Sequence, residues 1–179
     1  MNGLVSDKNE TDEDRKPRLI ILCGLPGSGK TTFAKRLENE LSIVRLCPDE
    51  WMADLGIDHD NSITHDRLEE RLSRLALTLL GLGQSVVLEY GFWGRSERDQ
   101  KRSDARSLGV PVDLYYFNPP REELWQRLMM RNQHGEHGVV PISHTDLERM
   151  SAIFQAPDSA EFALFDKAAE VVDARLYPF

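Results

Sequence analysis

The chain has little of several things, and each shortage narrows what it can be. There are only two cysteines, Cys23 and Cys47, with no C-x-x-C spacing. That excludes a disulfide framework and a cysteine zinc site, and it fits small buried thiols in a reducing compartment. No apolar run approaches the ~20 residues that cross a bilayer, which argues against membrane insertion. Positive charge is also short: 22 Lys and Arg face 30 Asp and Glu, for a net charge of -8. Broad nucleic-acid binding, driven by counterion release from basic surfaces, is therefore disfavoured. Nine prolines and twelve glycines are too few for a low-complexity chain.

What remains is an ordinary soluble composition, 40% hydrophobic and 29% charged over 179 residues, enough for one continuous core. Residues 1–17 are nearly devoid of apolar side chains and lack the apolar stretch of a signal peptide, so a flexible tail and a cytoplasmic setting are expected. Residues 18–179 then form one domain. Short aliphatic runs alternate with longer 3.6-periodic segments, which predicts a parallel sheet covered by helices. The five strand candidates are Leu19–Cys23, Ile43–Cys47, Ser85–Glu89, Val112–Phe117 and Glu170–Asp173.

Helices are expected at Lys30–Leu41, with Phe33, Ala34, Leu37 and Leu41 inward, and at Thr64–Leu80 before Gly81 and Gly83. Another, Arg95–Leu108, reads as charged and mostly exposed. Pro119 and Pro120 open a further helix that turns Leu124 and Leu128 inward, and Ser143 or Thr145 can cap a last one through Leu147, Met150 and Phe154. Between these two helices lies an aperiodic, glycine-containing stretch, 132–144, read as a lid.

The strongest motif is Gly24-Leu25-Pro26-Gly27-Ser28-Gly29-Lys30-Thr31, followed by Thr32, placed between the first strand and the first helix. A polyanion held without water needs consecutive backbone amides pointed at its oxygens, and glycines let the chain come that close. Lys30 then sits to neutralise the β and γ phosphates, and the Thr31 hydroxyl to ligate Mg2+. No Asn-Lys-x-Asp guanine reader or Leu-Ser-Gly-Gly-Gln transporter signature occurs, and the chain is short for a ring-forming ATPase with its extra helical domain.

Asp49 follows Pro48 at the carboxyl end of the second strand, the edge where α/β sheets bind ligands. There it can take the proton of an attacking hydroxyl, or simply interact with the amino end of a short helix. Glu89 ends the third strand in the position that supports Mg2+ through its waters, or caps a turn. Tyr90, Phe92 and Trp93, flanked by glycines, can wall an acceptor pocket, with Arg98 as a phosphate contact or a salt-bridge partner. Arg127 and Arg131 lie four apart and project together, as a pair over the nucleotide or as a solvated helix face. In the first role Arg127 stacks on adenine and Arg131 stabilises the transferring charge. His134, Glu136, His137 and His144 have no regular ligand spacing and read as lid residues; His59 and His65 have no visible partner.

On the P-loop, Asp49, the strand-three acid, the helix with Arg95 and Arg98, Pro119-Pro120-x-x-x-Leu124, and Arg127 with Arg131, residues 18–173 resemble a family of P-loop kinases. It groups small-molecule hydroxyl kinases, chloramphenicol phosphotransferase, zeta toxins and the kinase domains of polynucleotide kinases. The resemblance implies the P-loop NTPase fold, a doubly wound five-stranded parallel sheet with a mobile lid after Arg127. It also implies ATP as donor and Asp49 as the acceptor-activating aspartate. Two departures stand out. The strand-three acid, usually aspartate, is Glu89, and Trp51, Met52 and Ala53 follow Asp49 where polynucleotide kinases carry an arginine for the substrate phosphate. The expected activity is transfer of the ATP γ-phosphoryl group to a hydroxyl of a small molecule such as an antibiotic, nucleoside, sugar or sugar nucleotide. A polynucleotide 5′-hydroxyl kinase is the alternative, and a nucleotide-dependent switch binding a protein partner is the alternative of another class. Oligomeric state is not legible.

Overall fold

The computed structural model describes residues 16–58, 61–134, 141–175 and 177. The expected tail, apart from its last two residues, and the central part of the expected lid lie outside them. Five parallel strands, β1 (Leu19–Gly24), β2 (Val44–Leu46), β3 (Val86–Gly91), β4 (Val112–Phe117) and β5 (Lys167–Val171), form one sheet in the order β2-β3-β1-β4-β5. The fold is that of a P-loop NTPase. Its helices are α1 (Lys30–Leu41), α2 (Pro48–Asp54), α3 (Ser62–Gly81), α4 (Arg95–Ser107), α5 (Arg121–His134), α6 (His144–Ile153) and a single turn, α7 (Ser159–Phe162).

Side chains of a strand alternate between faces, and both faces of this sheet are covered, so β1 is apolar at every position. Leu19, Ile21 and Cys23 join a core with Leu72, Ala76 and Leu80 of α3 and Ala105 of α4. Ile20 and Leu22 join a second core with Phe33, Ala34 and Leu37 of α1. Leu41, expected inward, lies at the last turn of α1 and is 51% exposed. The two cysteines are free and buried, as expected, and burial is the main cause that pushes both thiols up to about 12.

Two differences from the sequence reading have physical reasons. β5 begins three residues earlier than expected, because Lys167, Ala168 and Ala169 pair with Asp113, Leu114 and Tyr115 of β4 despite their poor strand propensity. The ladder at a sheet edge overrides that propensity. α3 starts at Ser62 because the Asn61 side chain accepts from the Thr64 amide at 3.1 Å, a cap lying just before the apolar pattern. β1 lies between β3 and β4, so the chain leaves β1 and β3 toward opposite sides, and a crevice opens at their carboxyl ends.

Candidate active site

The loop between β1 and α1 makes the tight turn that phosphate binding requires. Gly27 (φ 78°) and Gly29 (φ 104°) are left-handed, and a Cβ on Gly29 would meet the Ala174 methyl at 2.9 Å. Glycine is therefore required there by conformation and by space. Lys30 curls over the loop, its Nζ donating to the carbonyls of Gly24 at 2.8 Å and Leu25 at 2.9 Å. Burial lowers its pKa; Glu89, Cys23 and Asp49 oppose that, and Arg131 adds to it. Lys30, Glu89, Asp49 and Arg131 thus share one electrostatic neighbourhood.

Strand alternation divides the work of β3. Val87 and Glu89 face α1, whereas Leu88 and Tyr90 face α3. Between Ile21 and Cys23 the pairing with β3 slips by one residue, opposite Glu89 and Tyr90. Glu89, only 8% exposed, accepts from the Thr31 hydroxyl on one carboxylate oxygen and from Arg45 Nη1 at 2.8 Å on the other. A hydroxyl and a carboxylate meeting at the head of a phosphate loop are the hard oxygen donors that Mg2+ takes, so these residues fit that ion.

Arg45 was not singled out in the sequence. It lies on β2 facing α1 and also engages Glu50, with Glu38 at 3.4 Å. Burial, the largest single influence, works against its charge, but Glu89 together with Cys47 and Glu50 outweighs it, and the net effect raises its pKa. The signal was a lone arginine inside a strand otherwise fit for burial, a position where a cation needs a buried acid.

Asp49 stands in the first turn of α2 behind Pro48, with its side chain 67% exposed. Its Oδ1 is 3.3 Å from His65 Nε2, and His65 Nδ1 is 3.9 Å from Glu69 Oε1. His65, for which the sequence shows no partner, therefore links the Asp49 edge to α3. The hydrogen bond to Asp49 chiefly raises its pKa, helped by the charges of Glu69, Asp49 and Asp66 and opposed by burial. Glu69 is itself pushed up to about 7, first by burial and then by Glu97 and Asp66, against His65 and Lys101. The contact was hidden because Asp49 and His65 are 16 residues apart on different helices.

The aromatic residues separate. Tyr90 and Phe92 stack with centroids 5.2 Å apart and line a cavity of about 310 Å³ between α3 and α4. Trp93 is not part of that lining; its indole covers Gly91 and its carbonyl accepts from the Gln155 amide. Of the two roles open to Arg98, phosphate contact and salt-bridge partner, the second is the one seen. Arg98 is fully buried, forked onto Glu161 at 2.6 and 2.9 Å, with Nη1 donating to the Phe92 carbonyl at 2.8 Å. A helix rich in charge predicts exposure, but Glu161 on α7 supplies a partner that four residues without periodicity did not announce. Arg98 is therefore a buried pillar behind the Phe92 turn, with no face for a substrate.

On α5, Leu128 presses against Gly27, and Arg127 reaches Ser28 O at 3.4 Å while paired with Glu123. Arg127 and Arg131 are thus brought to the P-loop, and Arg131 is close enough to Lys30 to lower its pKa. The base of the expected lid is pinned where Asn132 exchanges hydrogen bonds with the Ile142 amide and carbonyl, at 3.2 and 2.8 Å. His144 packs edge-on against Trp125 and lies 3.6 Å from Glu148. The side chains of His59, His134, Glu136 and His137 lie outside the described residues, among which no cluster of three metal-ligating acids, histidines or cysteines occurs.

With this geometry in view, known proteins can be compared. Gluconokinase of Gluconobacter oxydans is 25% identical over 141 residues, covering 71% of this chain and 72% of that protein. Chaetomium thermophilum Kti12 in complex with ADP-AlF3 superposes with a TM-score of 0.66 at 18% identity, covering 86% of this chain and 88% of that one. Mycobacterium tuberculosis APS kinase CysC, solved with AMPPNP and APS, gives 0.60 at 21% identity over 87% and 88% of the two chains. At these identities the solved structures share the fold. The family described as AAA domain matches residues 19–157, most of the chain and the whole of the crevice just described. The protein therefore belongs to this AAA domain family, as a P-loop kinase domain.

Proposed function

We propose that the protein transfers the γ-phosphoryl group of ATP to a hydroxyl of a small molecule. The observation that carries this reading is a carboxylate, Asp49, exposed on the same sheet edge as Lys30 and oriented by His65 at 3.3 Å. The P-loop amides and Lys30 bind the phosphates, and Arg127 and Arg131 approach from α5. Thr31 and Glu89 would hold Mg2+, which when bound draws charge off the phosphates. The acceptor oxygen attacks the γ phosphorus in line, the bond to the ADP oxygen breaks, and the hydroxyl proton passes to Asp49. His65, whose proton is stabilised by this contact, orients the carboxylate. Asp49 also occupies the first turn of α2, so its helix-end role and its role as base are compatible.

The similarity to gluconokinase and to APS kinase supports small-molecule phosphorylation and leaves the acceptor to be found. A polynucleotide acceptor is disfavoured by Trp51, Met52 and Ala53, which put no cation beside Asp49. The need for ATP as donor is what leads us to place the reaction in the cytoplasm. The test is incubation with γ-labelled ATP and a panel of sugars, nucleosides and antibiotics. Label on an organic product is expected; ADP release with label only in inorganic phosphate would favour a nucleotide-dependent switch.

A further inference from the structure

The cavity between α3 and α4 has its own chemistry. Glu69 of α3 and Ser96, Glu97, Gln100 and Lys101 of α4 stand around the stacked rings of Tyr90 and Phe92. At about 310 Å³ it is at the small end of ligand sites, which run from roughly 300 to 1,000 Å³. It adjoins the proposed base, since Glu69 is one helical turn from His65, which touches Asp49. The backbone is bent to build it: Gly91 and Phe92 both have positive φ, 90° and 46°. For phenylalanine that conformation is strained, and it persists because the Phe92 carbonyl is held by Arg98.

The geometry points to an acceptor subsite in this cavity for a polyhydroxylated molecule that carries an amine, an inference that rests on the phosphotransferase reading. Two carboxylates line the cavity against one ammonium, and Lys101 is already bonded to Ser73 Oγ at 2.7 Å. The lining therefore holds one carboxyl group more than it holds cations, and Glu69 is pushed up to about 7, first by burial and then by Glu97 and Asp66. An entering ammonium balances the charge, whereas a sugar acid or a sulfated or phosphorylated acceptor adds to the excess. The stacked rings give a flat face suited to the C–H side of a sugar or to a cation.

The experiment uses three matched probes, glucosamine, glucose and gluconate, on the full chain with ATP and Mg2+. Carboxyl-labelled glutamate NMR follows the titration of Glu69, assigned with Glu69→Gln, and labelled ATP follows transfer in the same samples. Saturating glucosamine is expected to lower the Glu69 midpoint by at least half a pH unit. Glucose should move it little and gluconate should not lower it. Glu97→Gln should reduce the preference for glucosamine over glucose at least tenfold while leaving ATP affinity unchanged. A Glu69 midpoint unmoved by glucosamine, or a larger response to gluconate, overturns the inference. Transfer to gluconate with Glu69 unmoved removes the amine site but keeps the kinase. A shifted Glu69 with no labelled sugar supports the amine site and counts against the kinase reading for these sugars.

Discussion

Glu161→Gln should be among the most destabilising isosteric changes in the molecule. Arg98 and Glu161 are 0% and 1% exposed in their side chains and meet through two nearly parallel hydrogen bonds. Glutamine keeps the shape but removes the charge, leaving a guanidinium buried without its counterion. Breaking such a pair from one side costs about 3–5 kcal/mol, a large share of the ~5–15 kcal/mol that holds a domain folded. For a chain of this size that corresponds to a fall in Tm of roughly 6–20 °C. Burial works against the Arg98 charge and Glu161 is what offsets it, but a guanidinium keeps its proton at any pH a folded protein meets, even without that partner. The loss should accordingly be the same at pH 6 and pH 9. Urea unfolding of the variant, with calorimetry to check two-state behaviour, measures it directly. Arg98→Met with Glu161→Leu should recover most of the stability, because apolar replacements avoid the desolvation cost. Turnover should not recover with it, since the Phe92 carbonyl then loses its guanidinium donor and keeps only the Cys23 thiol at 3.4 Å. A single variant within 1 kcal/mol of wild type would refute the reasoning.

Three further outcomes follow from the site. Lys30→Ala should weaken ATP binding by at least tenfold in calorimetric titration and abolish transfer, because a charge-assisted phosphate contact is lost. Arg45→Met leaves Glu89 buried without its arginine and should lower Tm; Mg-ATP, which brings a replacement cation to Glu89, should raise the Tm of this variant by more than that of wild type. Glu69→Gln should stabilise the protein increasingly as pH rises. The folded pKa of Glu69, about 7, lies above its ordinary value of 4.5, so the folded state binds the extra proton and stability falls between those two values. Wild type and variant should therefore converge near pH 4.5 and separate by pH 8 in thermal melts.

The periodic parts of this fold were legible in the sequence because their physics is local. β1 follows from a short continuous apolar run, α1 from its 3.6-residue spacing, and the P-loop from its glycines. The register slip that lets Glu89 face Thr31 while Tyr90 faces α3 is a property of strand pairing, which no single segment records. The choice between a phosphate contact and a salt bridge for Arg98 was open for the same reason. Its environment is decided by Glu161, 63 residues away. Arg45 and His65 were missed because each acquires its role from acids on other elements, and a lone arginine or histidine carries no local pattern. Asp49 was legible because its place, the carboxyl end of a strand ahead of a proline-started helix, is fixed by chain order.

The most direct measurement is Asp49→Asn, with ATP affinity, melting temperature and transfer to an identified acceptor followed on one preparation. If Asp49 accepts the hydroxyl proton, affinity and Tm should stay close to wild type while turnover falls by about two to four orders of magnitude, the usual contribution of a general base. Near-normal turnover, with or without a small fall in Tm, would show that Asp49 serves only the amino end of α2 and would contradict the account.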